Sequence, residues 1–234
     1  MAEFLLQNSG YCHCCRSQAT FRSANAWLRD HYICLNCHSI PRQRHLQHIL
    51  DVHFPDWCGR ILHESSPAND FLARYCKAYE SSQFFPDVPP GESHNGVRCE
   101  DLEGMSLADS SIDIFVTQDV FEHINNPARA AAEVTRVLKP GGLHIFTAPR
   151  HRGLASIQPR IRIRADGEIE HLLEPQYHGS PVGDGKALVT HDYARDFERL
   201  YAEWSGNLVT TYVTRDRGLG IDGEFLEVFV ACKQ

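Results

Sequence analysis

Apolar positions along the chain alternate between two periods. Over residues 40–54, Ile40, Leu46, Ile49, Leu50 and Phe54 recur roughly at helical spacing, and Pro41 suits a helix start. The run Arg60-Ile61-Leu62-His63-Glu64 reads instead as a short buried strand ending in an acid, followed by a helical stretch at 69–76 and a second strand at 78–82. Two more apolar runs, Ile114 to Thr117 and Leu143 to Thr147, predict buried strands, with a helix between them opened by Asn126 as cap and Pro127 as first residue. Strand, helix and strand in alternation predict a parallel sheet with right-handed crossovers, which binds ligands at the carboxyl ends of its strands. At the far end, Thr190 is placed to cap a last helix over 192–203, and 208–213 with 225–232 predict an antiparallel edge.

Composition narrows the picture. A chain of 234 residues, 42% apolar, can bury one full core with a small appendage. The net charge of −7 weighs against nonspecific binding to nucleic acid, which depends on neutralising phosphates. No stretch has the length of a membrane span, and Phe4-Leu5-Leu6 is too short for an export signal and lacks a basic flank. Nine cysteines without such a signal point to reduced thiols and a metal, and to the cytoplasm.

Four of those cysteines carry chemistry. Cys12 and Cys15, then Cys34 and Cys37, form two Cys-x-x-Cys knuckles separated by eighteen residues. A two-residue gap lets one tight turn present two thiolates to one ion, and zinc favours four in a tetrahedron. Such a closed site has no open position, so its expected role is structural. Cys14, His13, His31 and His38 are substitute ligands, and Arg42, Arg44 and His45 just beyond read as a solvated helix face.

The most specific pattern lies further on. Asp101-Leu102-Glu103 leads through Leu107, Asp109 and Ser111 to Asp113, then through the strand to Gln118 and Asp119, and later to Lys139-Pro140-Gly141-Gly142. This spacing resembles the second half of a class I S-adenosylmethionine-dependent methyltransferase of the type 11 kind. The resemblance implies an α/β, Rossmann-like sheet, mostly parallel with an antiparallel last strand, in residues 46–234, behind a small zinc module in 1–45. It also implies a substrate-covering insertion at 149–188.

Residue by residue, the resemblance places Glu64 beside the methionine part of the cofactor, with Ser65 and Ser66 in the turn that follows. That turn, Ser65-Ser66-Pro67-Ala68-Asn69, departs from the family in having no glycine. Ser82 falls nearest the place of the ribose-binding carboxylate, with Glu80 and Gln83 as alternatives. Asp101 matches the acid that receives the adenine amino group, the Leu102 backbone lies beside it, and Gln118 and Asp119 stand where cofactor and substrate meet. Asp119, Glu122 and His123, at i, i+3 and i+4, resemble the set that ubiquinone-pathway O-methyltransferases associate with a divalent ion. This makes His123 a candidate base and magnesium a candidate ion beside the structural zinc.

Within the insertion, five arginines from Arg150 to Arg164 precede Asp166, Glu168 and Glu170. A three-residue turn would oppose Arg164 with Glu170, giving a paired, solvated hairpin in preference to an RNA-binding patch. Tyr177 and His178 are candidate substrate contacts at the mouth of the site. The leading expectation is methyl transfer to oxygen or nitrogen of a small-molecule or glycan-like acceptor. An RNA-base methyltransferase and a noncatalytic relative that has lost the cofactor are the alternatives.

Overall fold

The computed structural model describes residues 6–180, 182 and 185–234. The amino-terminal segment is a small antiparallel sheet of β1 (Leu6–Cys12), β2 (Ser17–Ser23) and β3 (Ile33–Cys34), with one helical turn, α1 (Leu28–His31), between the last two strands. Its core is thin: Phe21, Tyr32 and Ala19 pack with Cys12, Cys14 and Cys34, and with Phe71 from the larger part.

The next helix, α2 (Pro41–His53), runs through position 45, where the boundary between module and domain was expected. Arg44 is the reason the two parts are continuous. Its guanidinium is fully buried and donates to the carbonyls of Tyr32, Ser39 and Gly220, tying module, helix and carboxyl-terminal segment together. Gly10 completes the joint, since a Cβ there would lie 1.8 Å from the Gly218 carbonyl oxygen. His45 is buried too, its Nδ1 2.6 Å from the Leu226 carbonyl. The expected solvated face of Arg44 and His45 is therefore an internal seam.

The main sheet contains β4 (Ile61–Ser65), β5 (Ala78–Ser82), β6 (Ile112–Gln118), β7 (Leu138–Thr147), β10 (Leu208–Tyr212) and β11 (Val228–Cys232), in the order β10-β11-β7-β6-β4-β5. The four strands β5, β4, β6 and β7 are parallel, and β11 and β10 close the edge antiparallel. Alternate residues face opposite layers, as the pleat requires. Leu62, Ile114, Val116 and Ile145 meet Leu46, Ile49 and Leu50 of α2, while Phe115, Phe146 and Phe229 meet α3 (Pro127–Val137) and α4 (Phe197–Ser205). Asn126 caps α3 by accepting from the Arg129 N–H at 3.0 Å, as its sequence predicts.

Several local expectations change. Residues 69–76 form turns, not a helix. Thr190 does not cap the last helix, which begins at Phe197; its hydroxyl donates to the Glu122 and Ile124 carbonyls instead. The arginine hairpin pairs Ile163 with Ile169 and Arg162 with Glu170, two residues upstream of the expected Arg164, because this lines up its isoleucines. Beyond it, β8 (Tyr177–Gly179) and β9 (Lys186–Leu188) form a second hairpin.

Candidate active site

Strand order reverses between β4 and β6, so their carboxyl ends lie side by side with Ser65 opposite Thr117. A cavity of about 1130 Å³ opens above them. Ser65, Ser66, Gln83, Asp101, Leu102 and Gln118 line one end of it, and His123, His178, Leu188 and Thr190 line the other.

At the first end, the glycine-free turn keeps the bend that a glycine would give: Ser66 adopts φ +56°, the left-handed region. Its N–H bonds the Ser82 carbonyl at 2.7 Å, which holds the turn against β5. Glu64 is not among the lining residues. It lies beneath them, accepting from Tyr79 Oη and Gln118 Nε2, each at 2.9 Å, and burial pushes its carboxyl up to about 7 against those two hydrogen bonds. Its contribution is to hold Gln118 from below. Ser82 is also turned inward, its hydroxyl 2.9 Å from His63 Nε2, because the pleat directs residue 82 into the core and leaves Gln83 facing the cavity. Of the ribose-contact candidates, Gln83 has the position. Asp101 receives the Glu103 N–H at 2.8 Å through Oδ1, fixing the loop beside the cavity.

At the second end, Asp119 is engaged. Arg29 forms a close ion pair with it, Arg42 Nε lies 3.0 Å away, and the Thr147 hydroxyl donates at 2.9 Å. Burial works to raise this carboxyl, but Arg42 and Arg29, with Thr147, outweigh it and hold it below the usual carboxylate range. A carboxylate so held is a poor proton acceptor, and its two arginine partners tie module and sheet together. His123 does face the cavity, with Nδ1 2.8 Å from the Leu188 carbonyl oxygen. Alternation in β8 separates the two insertion candidates: His178 points in, whereas Tyr177 is 51% exposed and points out toward Lys186.

The cavity also has a wall that the sequence did not reveal. Trp27, Arg29 and Asp30 of the cysteine module line it together with Arg42, His151 and Phe225. Phe225 takes the edges of Trp27 and His151 and lies 5.7 Å from the Arg29 guanidinium. No spacing rule links residues 27 and 225; only the docking of the module brings them together. In the module itself, the Sγ atoms of Cys12, Cys15, Cys34 and Cys37 all lie within 4.8 Å of one another, a set that fits one tetrahedral ion.

Residues 73–146 match the sequence profile of a family described as a methyltransferase domain. A stretch of 74 residues is 45% identical to the dimethylglycine N-methyltransferase of Parasynechococcus marenigrum (strain WH8102), covering 32% of this chain and 22% of that protein. Among solved structures, an S-adenosylmethionine-dependent methyltransferase from Mesorhizobium loti superposes over 81% of this chain and 98% of its own, with TM-score 0.52 and 15% identity. An amino pentose methyltransferase from Micromonospora echinaspora, bound to S-adenosylmethionine, superposes over 82% of this chain and 90% of its own, with TM-score 0.51 and 13% identity. Residues 73–146 thus match a methyltransferase domain, and the chain has the Rossmann-like fold of S-adenosylmethionine-dependent methyltransferases. Its aligned stretch spans less than a quarter of the curated relative.

Proposed function

We propose that this protein transfers a methyl group from S-adenosylmethionine to a small-molecule acceptor, glycan-like compounds included, at oxygen or nitrogen. The cavity carries this reading. At about 1130 Å³ it exceeds the ~300–1,000 Å³ of a typical ligand site, which leaves room for cofactor and acceptor side by side. Ser65, Ser66, Gln83, Asp101, Leu102 and Gln118 would hold the cofactor. His123 and His178 face the acceptor end, with Trp27, Arg29 and Phe225 around it. Methyl transfer is an in-line displacement with a good leaving group, so proximity and alignment supply most of what the protein must provide. Zinc in the four-cysteine site would set the acceptor wall indirectly, by holding the segment around α1 that carries Trp27 and Arg29. Magnesium on the Asp119, Glu122 and His123 set finds no support, because Asp119 is committed to two arginines.

The hairpin whose Arg162 and Arg164 reach Glu170 at 3.6 and 3.8 Å favours a small acceptor over RNA, because those arginines are already paired. Among the described residues no helix is long and apolar enough to cross a membrane. Isothermal titration with S-adenosylhomocysteine tests the proposal: the wild type should bind, and Asp101→Ala should bind about 1.5–3 kcal/mol more weakly, the range for a charged acceptor of a hydrogen bond. A wild type that does not bind would be a noncatalytic relative.

A further inference from the structure

Glu122 is a buried carboxylate, 2% exposed, that no side chain contacts by a hydrogen bond among the described residues, although its charge acts on Arg29. The groups nearest it are two imidazoles, with His178 Nδ1 3.5 Å and His123 Nε2 4.0 Å from Oε1. An uncompensated buried carboxylate is strongly unfavourable. The tautomer of His123 sharpens the problem. Its Nδ1 faces the Leu188 carbonyl, which can only accept, so Nδ1 carries a proton and Nε2 is the ring nitrogen left to face Glu122.

A carboxylate oxygen and a ring nitrogen that face each other need a proton or a metal ion between them. We infer that Glu122, His123 and His178 form a second metal site, for a divalent transition-metal ion, in the acceptor wall of the cavity. The donor atoms of the three residues lie within 4.8 Å of one another. Two imidazoles with one carboxylate suit zinc, manganese or iron(II), whereas magnesium prefers oxygen ligands and retained water. The Leu188 carbonyl is the outer partner that a metal-bound histidine needs to fix its ring.

One hairpin assembles the set. β8 supplies His178, β9 supplies the Leu188 carbonyl that orients His123, and Thr190 just after it pins the Glu122 and Ile124 carbonyls at 3.0 and 2.6 Å. These donors are not the acid-x-x-Glu-His set read from the sequence: Asp119 lies outside the group, and the third donor comes from the insertion. Positions left on the ion would take oxygen or nitrogen of the acceptor, and that part alone rests on the methyltransferase reading.

The test is a cobalt(II) titration of protein whose cysteine site is filled with zinc, followed by visible absorption. About one further ion per chain should bind, giving the bands of nitrogen and oxygen ligation without the thiolate charge-transfer band of a cysteine site. His178→Ala and Glu122→Gln should each abolish those bands while zinc content and far-ultraviolet circular dichroism stay unchanged. His123→Gln serves in the same way should either of those variants fail to fold. A wild type that takes up no second ion, or correctly folded variants that bind it as well as the wild type, overturns the inference. Titration of the same samples with S-adenosylhomocysteine separates the two readings. Cofactor binding without cobalt overturns only the metal site, and cobalt binding without cofactor supports the site while overturning the methyltransferase reading.

Discussion

The two ends of the cavity are built in different ways. The cofactor end is assembled from strand termini and the loops directly after them: Ser65 and Ser66 follow β4, Gln83 follows β5, and Gln118 closes β6. The acceptor end gathers the cysteine module, the turn after β6, the β8–β9 hairpin and the segment around Phe225, with nearly two hundred residues between Trp27 and Phe225. A cofactor shared by many enzymes can be held by a repeated strand-and-loop pattern. An acceptor wall made from distant segments has no such pattern, and its shape depends on how those segments dock.

The sharpest way to break this comparison is to disrupt the four-cysteine site expected to hold zinc. Cys34→Ser should lose the ion and with it much of the ~10–16 kcal/mol of apparent binding energy that supports small zinc modules. Because Trp27 and Arg29 sit in that module, the acceptor wall should come apart as well. Elemental analysis and thermal denaturation check this; a zinc-free variant with wild-type melting would show that the module stands without metal.

The Asp119 tie gives the next largest effect. Asp119→Ala leaves Arg29 and Arg42 beside an empty space and should cost about 3–5 kcal/mol in urea denaturation, the penalty for breaking a buried ion pair. A variant as stable as the wild type but slow in turnover would return Asp119 to a catalytic role.

Glu64 tests the floor of the cofactor end. Its folded carboxyl lies at about 7, above the ordinary value of 4.5, so the folded state favours the neutral form. That contribution is fully present below pH 4.5 and is lost as the pH rises through 7, a change on the order of 3 kcal/mol. Glu64→Gln should therefore flatten the fall in stability across this window, read from melting temperatures at a series of pH values. An unchanged profile would mean that Glu64 is already ionised where it lies.

The smallest effect belongs to the solvated hairpin. Arg162→Ala removes an exposed pair with Glu170 and should change stability by no more than ~0.5–1 kcal/mol, leaving cofactor affinity as it was. A large loss of affinity for RNA in this variant would instead favour a nucleic-acid acceptor.

Some of this architecture was legible before the fold was known, and the reasons differ by residue. Gln118 was readable because it ends β6, and Asp101 and Leu102 because they lie in the loop whose short spacing leads into that strand, where local pattern and position in space coincide. Ser82 and Tyr177 went the other way for one shared reason: a single step along a strand moves a side chain to the opposite face, so Gln83 and His178 took the inward positions. Arg44 and His45 looked solvated because charge usually is, but buried carbonyls from three segments receive them.

The sequence by itself determined the parallel sheet with its antiparallel edge, the loops at the carboxyl ends of its strands and the four-cysteine knuckles, because periodicity, capping and ligand spacing act over a few neighbouring residues. Only the tertiary structure decided that the cysteine module forms a wall of the cavity, that Asp119 is neutralised by Arg29 and Arg42, and that His178 arrives beside Glu122 and His123. Those contacts join segments far apart in the chain, and their partners are chosen by packing and by the need to compensate buried charge, neither of which leaves a periodic trace.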